Sequence, residues 1–114
     1  MDDCIFCKII DGQIPSEPVF ENDHLIAFHD INPVAPTHIL IVPKKHIATL
    51  NDLEAADSNL VGDMILCAKQ LAGEVGLAEK GFRTVFNCME GAGQAVFHIH
   101  LHLLGGRPLQ WPPG

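Results

Sequence analysis

The chain has 114 residues, of which 47% are hydrophobic and 18% are charged, and its formal net charge is −7. This length predicts a single domain over residues 1–114, and the composition is typical neither of a disordered chain nor of a membrane-spanning one. The negative charge argues against a nucleic-acid partner, because phosphate backbones repel an acidic protein.

The amino-terminal stretch, MDDCIFCKIIDGQIP, predicts a short helical turn that closes near Gly12 and stops at Pro15. Asp2 and Asp3 stand where a secretory signal carries positive charges. No apolar run approaches the roughly 20 residues that a membrane helix needs. We therefore expect a cytoplasmic protein without a membrane partner, whose cysteines are reduced.

Three strands are predicted next. Val19–Glu21 and Leu25–His29 are short, and Asn22-Asp23 supplies good turn chemistry between them. The run HILIVP, which ends at Pro43, is apolar and β-branched and predicts a buried strand.

The middle of the chain predicts one long helix. Asn51 with Glu54 predicts its amino-terminal cap, and Gly76 predicts its end. We expect Cys67 and Cys88 to be plain buried residues. One helical stripe of apolar residues comprises Leu60, Met64, Cys67, Ala68, Leu71 and Val75.

The last third predicts two more strands around a glycine loop. The strands are FRTVFNC and AVFHIHLHLL, and the loop is MEGAGQ, residues 89–94. A mostly antiparallel sheet with one major helix packed on it is an α+β fold.

Three histidines occupy every second position of the last predicted strand. His98, His100 and His102 therefore share one face. Neighbouring imidazoles lie about 6.6 Å apart along a strand, so one phosphate-sized group reaches two of them. The row favours a nucleophile or proton donor; a metal site on the strand is the main alternative, and a solvated polar face is a weaker one. The opposite face, predicted to be core, carries Phe97, Ile99, Leu101 and Leu103.

The glycine loop leads directly into this row of histidines. Gly91 and Gly93 let consecutive backbone N–H groups turn towards an anion, and Asn87 and Gln94 add amide donors. A loop of this kind beside a nucleophile predicts a cradle for phosphate oxygens.

The pair Cys4-x-x-Cys7 is typical of metal ligands or a redox pair in a reducing compartment. Zinc takes four nitrogen or sulfur donors, and His46 and His98 are candidates for the other two. The alternative is two unrelated cysteines in a buried turn.

The chain resembles the histidine-triad (HIT) family, whose motif alternates three histidines with apolar residues. The segment from His98 to Leu104 fits this motif without a mismatch. AFHDINPVAPTHILIVPKKHI and the terminal LLGGRPLQWPPG are similar to the Hint branch of that family, the purine nucleoside phosphoramidases. The similarity spans almost the whole chain.

The resemblance implies a homodimer in which an antiparallel sheet of about five strands, with one long and one short helix, continues across the dyad. It implies a hydrolase that cleaves nucleoside 5′-monophosphate conjugates such as purine nucleoside phosphoramidates. In this scheme His100 is the nucleophile and forms a nucleotidyl-histidine that water resolves. His102 contacts the phosphate, and His38 and His98 support the network around the nucleophile.

The resemblance also implies the residues that bind a purine nucleotide. Asp30 matches the carboxylate that binds the ribose hydroxyls. The phosphate cradle would comprise Asn87, Gly93, Gln94, Ala95 and Val96. The apolar purine pocket would comprise Phe6, Ile9, Ile14, Phe28 and Ile31.

Two features depart from well-studied members of the branch. Ala95 stands where they have a serine, so a hydroxyl that helps the leaving group is absent and only the backbone N–H remains. Cys4 and Cys7 are absent from animal members, but many bacterial ones carry them as zinc ligands together with two histidines, which match His46 and His98. The resemblance thus implies a structural zinc of the bacterial type and a reaction that requires no cofactor.

Two other functions remain compatible with the sequence. A purine nucleotide-binding regulatory module with little activity is favoured by Ala95. A metal-dependent hydrolase would use His98, His100 and His102 as ligands.

Overall fold

A computed structural model describes residues 3–114; Met1 and Asp2, the start of the stretch predicted not to be a secretory signal, lie outside the described residues. Within the described residues, two α-helices and five strands follow one another. They are α1 (Ile5–Ile10), β1 (Phe20–Glu21), β2 (Leu25–His29), β3 (Thr37–Pro43), α2 (Ser58–Glu74), β4 (Arg83–Val85) and β5 (Leu101–Gly105). Short 3-10 turns occupy Leu50–Asp52, Ala55–Asp57 and Glu90–Ala92.

The five strands form one antiparallel sheet in the order β1-β2-β3-β5-β4. The predicted α+β class, with one long and one short helix, is confirmed. At the centre β3 pairs with β5, and Leu40 lies opposite His102. Because His38 is two residues from Leu40, its side chain leaves the same face and lies diagonally across from His102. The register therefore brings a histidine of β3 to the histidine row.

The sheet and α2 enclose the main hydrophobic core. Met64, Ala68 and Leu71 of α2 are buried against it, as the predicted stripe requires. None of the helices within residues 3–114 is long and apolar enough to cross a membrane. A smaller core on the other face joins α1 to the sheet, and its buried members are Phe6, Ile26, Leu40 and Val42.

The start of α2 differs from the prediction. The residue before the helix is Asp57, not Asn51, and its side chain makes no capping hydrogen bond to the helix. Thr49 caps the 3-10 turn Leu50–Asp52: its hydroxyl accepts from the Asn51 N–H at 3.1 Å, and Asp52 accepts from the Thr49 N–H at 3.1 Å. Asn51 thus lies inside the first 3-10 turn, and Glu54 immediately precedes the second, Ala55–Asp57. Lys45 donates to the buried Asp57 at 2.6 Å, and this hydrogen bond lowers the pKa of the Asp57 carboxyl. The ion pair fixes the residue just before α2.

The carboxyl end of α2 and the amino end of the last strand also differ from the prediction. Gly76 ends α2 as expected, with φ +81°, but the helix stops at Glu74 and leaves Val75 45% exposed. The strand pattern of the histidine row extends only over β5, and Phe97 is 43% exposed rather than in the core. The ladder between β3 and β5 ends at Leu101, and Ile99 instead donates its N–H to the Ile47 carbonyl at 2.7 Å.

Truncation at the centre of the sheet has a large expected effect on stability. Ile41 is fully buried in β3, so Ile41→Ala leaves a cavity between strands and α2 and lowers the free energy of unfolding by about 2–5 kcal/mol. Ile65 on α2 is 44% exposed, and Ile65→Ala is the matched control, with an expected loss below about 1 kcal/mol. Urea titration of both variants tests the placement of the core; equal losses would contradict it.

Candidate active site

The three histidines of the row lie inside the protein. His98 is fully buried and His100 is 8% exposed, while His102 on β5 is partly buried. Adjacent rings of His100 and His102 have centroids 4.9 Å apart. The solvated polar face considered from the sequence is therefore wrong, and each ring's protonation is set by its buried hydrogen-bond partners.

His100 is held as a neutral imidazole with one free nitrogen. Its Nδ1 lies 2.8 Å from the backbone carbonyl of His98, which only accepts, so Nδ1 carries the proton. The Nε2 atom then presents a lone pair. Burial lowers the pKa of His100, so the ring is neutral at pH 7 and suited to nucleophilic attack.

A second chain of hydrogen bonds orients His102. The Val34 N–H donates to Nδ1 of His38 at 3.1 Å, so His38 carries its proton on Nε2. That Nε2–H donates to Nδ1 of His102 at 2.9 Å, so the His102 ring proton lies on its own Nε2. Burial and the neighbouring His100 lower the pKa of His102 to about 4. His102 is thus a neutral hydrogen-bond donor at pH 7.

Among the described residues, Asp30 carries the only carboxylate that contacts the hydrogen-bonded pair His38 and His102. Its Oδ2 lies 3.3 Å from Nε2 of His38, and its Oδ1 accepts from the Asn32 N–H at 2.8 Å. The loop around Asp30 is thereby ordered, and the partly buried carboxylate keeps lone pairs for further donors.

The glycine loop contains two residues with left-handed backbone, Met89 at φ 69° and Gly93 at φ 83°. Gln94 is buried and holds the loop closed: its Oε1 accepts from the Met89 N–H at 2.8 Å, and its Nε2 donates to the carbonyls of Ala48 and Val96 at 2.8 and 3.1 Å. Both amide hydrogens of Gln94 are therefore used within the protein. Its side chain stabilises the loop. Ala95 and Val96, whose backbone N–H groups were predicted to face a phosphate, are the next two residues in the chain.

The apolar residues predicted to form a purine pocket occupy different environments. Phe6 is 5% exposed and packs edge-to-face on Phe28 and His100, with centroids 5.7 and 5.1 Å apart. Ile9 packs in the same cluster, and Ile14 is partly buried. Ile31, at 90% exposure, presents its whole side chain outwards.

Cys4, Cys7, His46 and His98 converge as the sequence predicted, and they can hold a metal ion. The Cys4 and Cys7 sulfurs lie 3.3 and 3.6 Å from Nδ1 of His98, and the two Nδ1 atoms of His46 and His98 are 3.1 Å apart. Ligands of a tetrahedral zinc, at about 2.3 Å for sulfur and about 2.0 Å for nitrogen, are separated by roughly 3.3–3.8 Å. The two sulfur–nitrogen separations fall in this range, and the separation between the two nitrogens is about 0.2 Å shorter than its lower end.

The hydrogen bonds of His98 also fit a metal ligand. Its Nε2 lies 2.7 Å from the Pro43 carbonyl, so Nε2 carries the proton and Nδ1 offers its lone pair to the cluster. Burial and the neighbouring Cys4 raise the pKa of the Cys7 thiol to about 11. A cation bound there replaces the thiol proton.

A second group, Asp30, His38 and His102, is equally close but does not fit a metal. The Val34 N–H occupies the Nδ1 lone pair of His38, so His38 would have to lose its one ring proton and become an imidazolate to bind an ion through Nε2. The ring nitrogens of the three histidines in the row do not converge on one point either. Nδ1 of His98 faces the cysteine sulfurs, whereas Nδ1 of His100 faces the His98 carbonyl. This geometry disfavours the metal-dependent hydrolase.

Sequence reasoning missed the backbone groups that set the tautomers. The Val34 N–H and the carbonyls of Pro43 and His98 each fix one imidazole. Every residue carries such groups, so no residue type signals them. Of the two cysteines predicted to be buried, Cys67 is buried and Cys88 is partly exposed.

Comparison with known proteins gives a consistent result. The model of the HIT domain matches residues 11–109. The chain is 49% identical to the purine nucleoside phosphoramidase of Escherichia coli K12 over 108 residues, 95% of this chain and 91% of the relative. An uncharacterised HIT-like protein of Synechococcus elongatus is 49% identical over 113 residues, 99% of this chain and 98% of that one.

A solved structure shares the complete fold. The HIT family hydrolase from Legionella pneumophila superposes with a TM-score of 0.96 and is 57% identical, covering 98% of this chain and 100% of that one. The family model spans most of the chain, and the sequence and structural relatives agree with it. The protein therefore belongs to the histidine-triad (HIT) family.

Proposed function

We propose that this HIT-family hydrolase cleaves purine nucleoside 5′-monophosphate conjugates, nucleoside phosphoramidates above all, through a covalent nucleotidyl-histidine. The observation that carries the proposal is the neutral His100, whose Nδ1–H is bound to the His98 carbonyl while Nε2 keeps its lone pair. The substrate class is that of the Escherichia coli relative, a purine nucleoside phosphoramidase.

In the first step Nε2 of His100 attacks phosphorus. A bond forms between Nε2 and phosphorus and the bond from phosphorus to the amine nitrogen breaks. The amine leaves with its electron pair and takes up a proton from solvent. The His98 carbonyl stabilises the positive charge that develops on the attacking imidazole, because it accepts from Nδ1. Catalysis of this kind divides one hard displacement into two easier ones.

In the second step water attacks phosphorus and gives up a proton to solvent, and the bond to Nε2 breaks. This releases the nucleoside monophosphate and restores neutral His100. His102 would donate its Nε2–H to a phosphate oxygen in both steps, and His38 would hold His102 in the tautomer that makes this possible. The low pKa of His102 keeps this donor neutral at pH 7.

We assign the rest of the nucleotide to groups around the row. Asn87, Gly93, Ala95 and Val96 would bind the phosphate through the loop that Gln94 braces. Asp30 would accept from the ribose hydroxyls. The purine would lie against apolar side chains, which comprise Phe6, Ile9, Ile14, Phe28 and Ile31.

We assign a structural zinc to Cys4, Cys7, His46 and His98. These residues supply four donors, so no position is left for a substrate, and the ion would tie α1 to the segment that carries the nucleophile. None of the reaction steps above requires a cofactor.

We further propose that the whole chain, residues 1–114, acts as one domain in a cytoplasmic homodimer. The edge strand β4 supports the dimer, because its free side can pair with a second copy and continue the sheet. The described part of the chain carries a single five-stranded sheet, as expected of one domain.

The alternative function is a purine nucleotide-binding module with little activity. Ala95 favours it, because the chain lacks a hydroxyl beside the leaving group. A lost polar contact in a transition state commonly lowers a rate by about 10²–10³. Tight binding of AMP with negligible turnover would support this alternative.

The activity is expected to have a flat pH dependence near neutrality. Because burial lowers the pKa of His100, the nucleophile stays neutral at pH 7 and becomes protonated only below the ordinary histidine value of about 6.5. kcat/KM for a phosphoramidate should therefore decline only as pH falls through an apparent pKa below about 6.5. A decline that begins above pH 7 would contradict a neutral, buried nucleophile.

The test of the function is hydrolysis of adenosine 5′-phosphoramidate, followed by release of AMP, with a chelator in a parallel sample. We expect turnover that the chelator does not abolish at the reaction step. Turnover that is lost with the chelator and restored by added metal ions in a folded enzyme would favour the metal-dependent hydrolase instead.

A further inference from the structure

The metal cluster and the nucleophile share one residue. His98 faces Cys4 and His46 through Nδ1, donates to the Pro43 carbonyl through Nε2, and accepts the Nδ1–H of His100 at its own backbone carbonyl. Both ring nitrogens of His98 are therefore engaged, and the peptide group that orients the nucleophile belongs to the same residue.

A second contact joins α1 to the nucleophile. Phe6 lies between Cys4 and Cys7 on α1, and its ring packs edge-to-face on His98 and His100, with centroids 5.8 and 5.1 Å apart. Since Phe6 is 5% exposed, its ring forms a wall against which the His100 imidazole rests. Anything that holds the two cysteines in place also holds this wall.

The segment around His46 completes the arrangement. His46 approaches Cys7 and His98 with Nδ1 at 3.3 and 3.1 Å, and the Ile47 carbonyl accepts from the Ile99 N–H at 2.7 Å. The residues on both sides of the His98 carbonyl are thus attached to the 46–47 segment. Residues 98–100 lie outside the β3–β5 ladder, so strand pairing does not fix them.

We propose that the four-residue cluster is a positioning device for catalysis: a metal ion bound by Cys4, Cys7, His46 and His98 fixes the orientation of the His100 imidazole through the His98 carbonyl and the Phe6 ring. His46 and Phe6 are positioning residues in this scheme. The inference rests on the proposed function for its kinetic consequence, but the orientation of His100 can be measured without any substrate.

The test compares His46→Ala with His46→Cys. The alanine variant loses a ligand, whereas the cysteine variant restores a set of three cysteines and one histidine, which also binds zinc. Zinc content is measured by elemental analysis, fold by circular dichroism, and the His100 tautomer by NMR of isotope-labelled ring nitrogens.

In wild type and His46→Cys we expect one zinc per chain and a single Nδ1–H tautomer at His100. In His46→Ala we expect lost zinc, a mixture of His100 tautomers, and a kcat lowered by about 10–100-fold with little change in KM. A folded His46→Ala with an unchanged tautomer and kcat would overturn the proposal, as would wild type that takes up no zinc.

A second variant covers the case in which His46→Ala does not fold. Phe6→Leu keeps all four ligands and an apolar side chain but removes the ring that rests on His100. We expect full zinc content, a native fold and a disturbed His100 tautomer; an undisturbed one would overturn the proposal. If wild type hydrolyses no phosphoramidate, the proposed function fails, while the tautomer measurements still decide whether the cluster positions His100.

Discussion

His100→Ala is expected to lower the turnover of adenosine 5′-phosphoramidate by at least about 10³-fold, since the variant has no atom that can form the bond to phosphorus. The remaining groups still bind the nucleotide, so the affinity for AMP should change far less than kcat. Steady-state kinetics and a binding titration measure the two effects separately. The loss is assigned to chemistry because His100 makes one hydrogen bond, to the His98 carbonyl.

The control is His24→Ala, which removes a histidine from an exposed turn. The His24 side chain lies outside the row, and the turn is held by its backbone N–H, which donates to Asn22. Turnover within about twofold of wild type is expected for this variant, because surface substitutions of this kind have small effects. If His100→Ala keeps its turnover and circular dichroism shows a native fold, His100 is not the nucleophile.

Loss of a cysteine ligand is expected to have the largest effect on stability. Cys7→Ser replaces a thiolate by a poor zinc ligand, and the free energy of metal binding to the fold is lost with it. We expect the free energy of unfolding of zinc-loaded protein to fall by roughly 4 kcal/mol or more. Denaturant titrations of wild type and variant, prepared with equimolar zinc, measure this difference.

Cys88→Ser is the matched control for this experiment. Cys88 is partly buried like Cys7 but lies outside the metal cluster. Its replacement should cost about 1 kcal/mol or less and leave the zinc content unchanged. Equal losses for the two variants, or equal stability of wild type with and without chelator, would contradict a zinc bound by these four residues.

Much of the fold follows from local patterns in the sequence. The run Leu25–His29 after the Asn-Asp turn became β2, and the apolar, β-branched run ending at Pro43 became the main part of β3. The stripe through Met64 and Leu71 became α2. Gly76 ended that helix because its φ of +81° suits a residue without a Cβ. These features depend on neighbours along the chain, which the sequence shows directly.

Other features depend on long-range contacts that no local pattern contains. Alternation predicted that Phe97 is core, but residues 95–100 leave the ladder, because Ile99 pairs with Ile47. Gln94 was predicted as a phosphate donor, and its amide instead meets the Ala48 carbonyl, 46 residues away in the chain. The predicted helix cap at Asn51 is wrong, because the chain first makes two 3-10 turns and α2 begins only after Asp57.

In the candidate site, too, some features follow from the sequence and others depend on long-range contacts. The sequence identified the cysteine pair and the histidines, and the structure brings Cys4, Cys7, His46 and His98 together. The tautomers could not be predicted, since a backbone N–H and two carbonyls determine which nitrogen carries each proton. In the proposed function, these backbone partners give three similar imidazoles the separate roles of metal ligand, nucleophile and hydrogen-bond donor.

The most direct test of the mechanism is rapid base quenching, which preserves a phosphorus–nitrogen bond, during turnover of a phosphoramidate labelled in its nucleoside. The quenched protein is then analysed by mass spectrometry. The mechanism predicts one nucleoside monophosphate attached to the peptide that contains His100, formed and lost at rates consistent with turnover and absent from His100→Ala. Steady turnover with no labelled protein at any quench time, or with the label on another residue, would contradict the covalent role of His100.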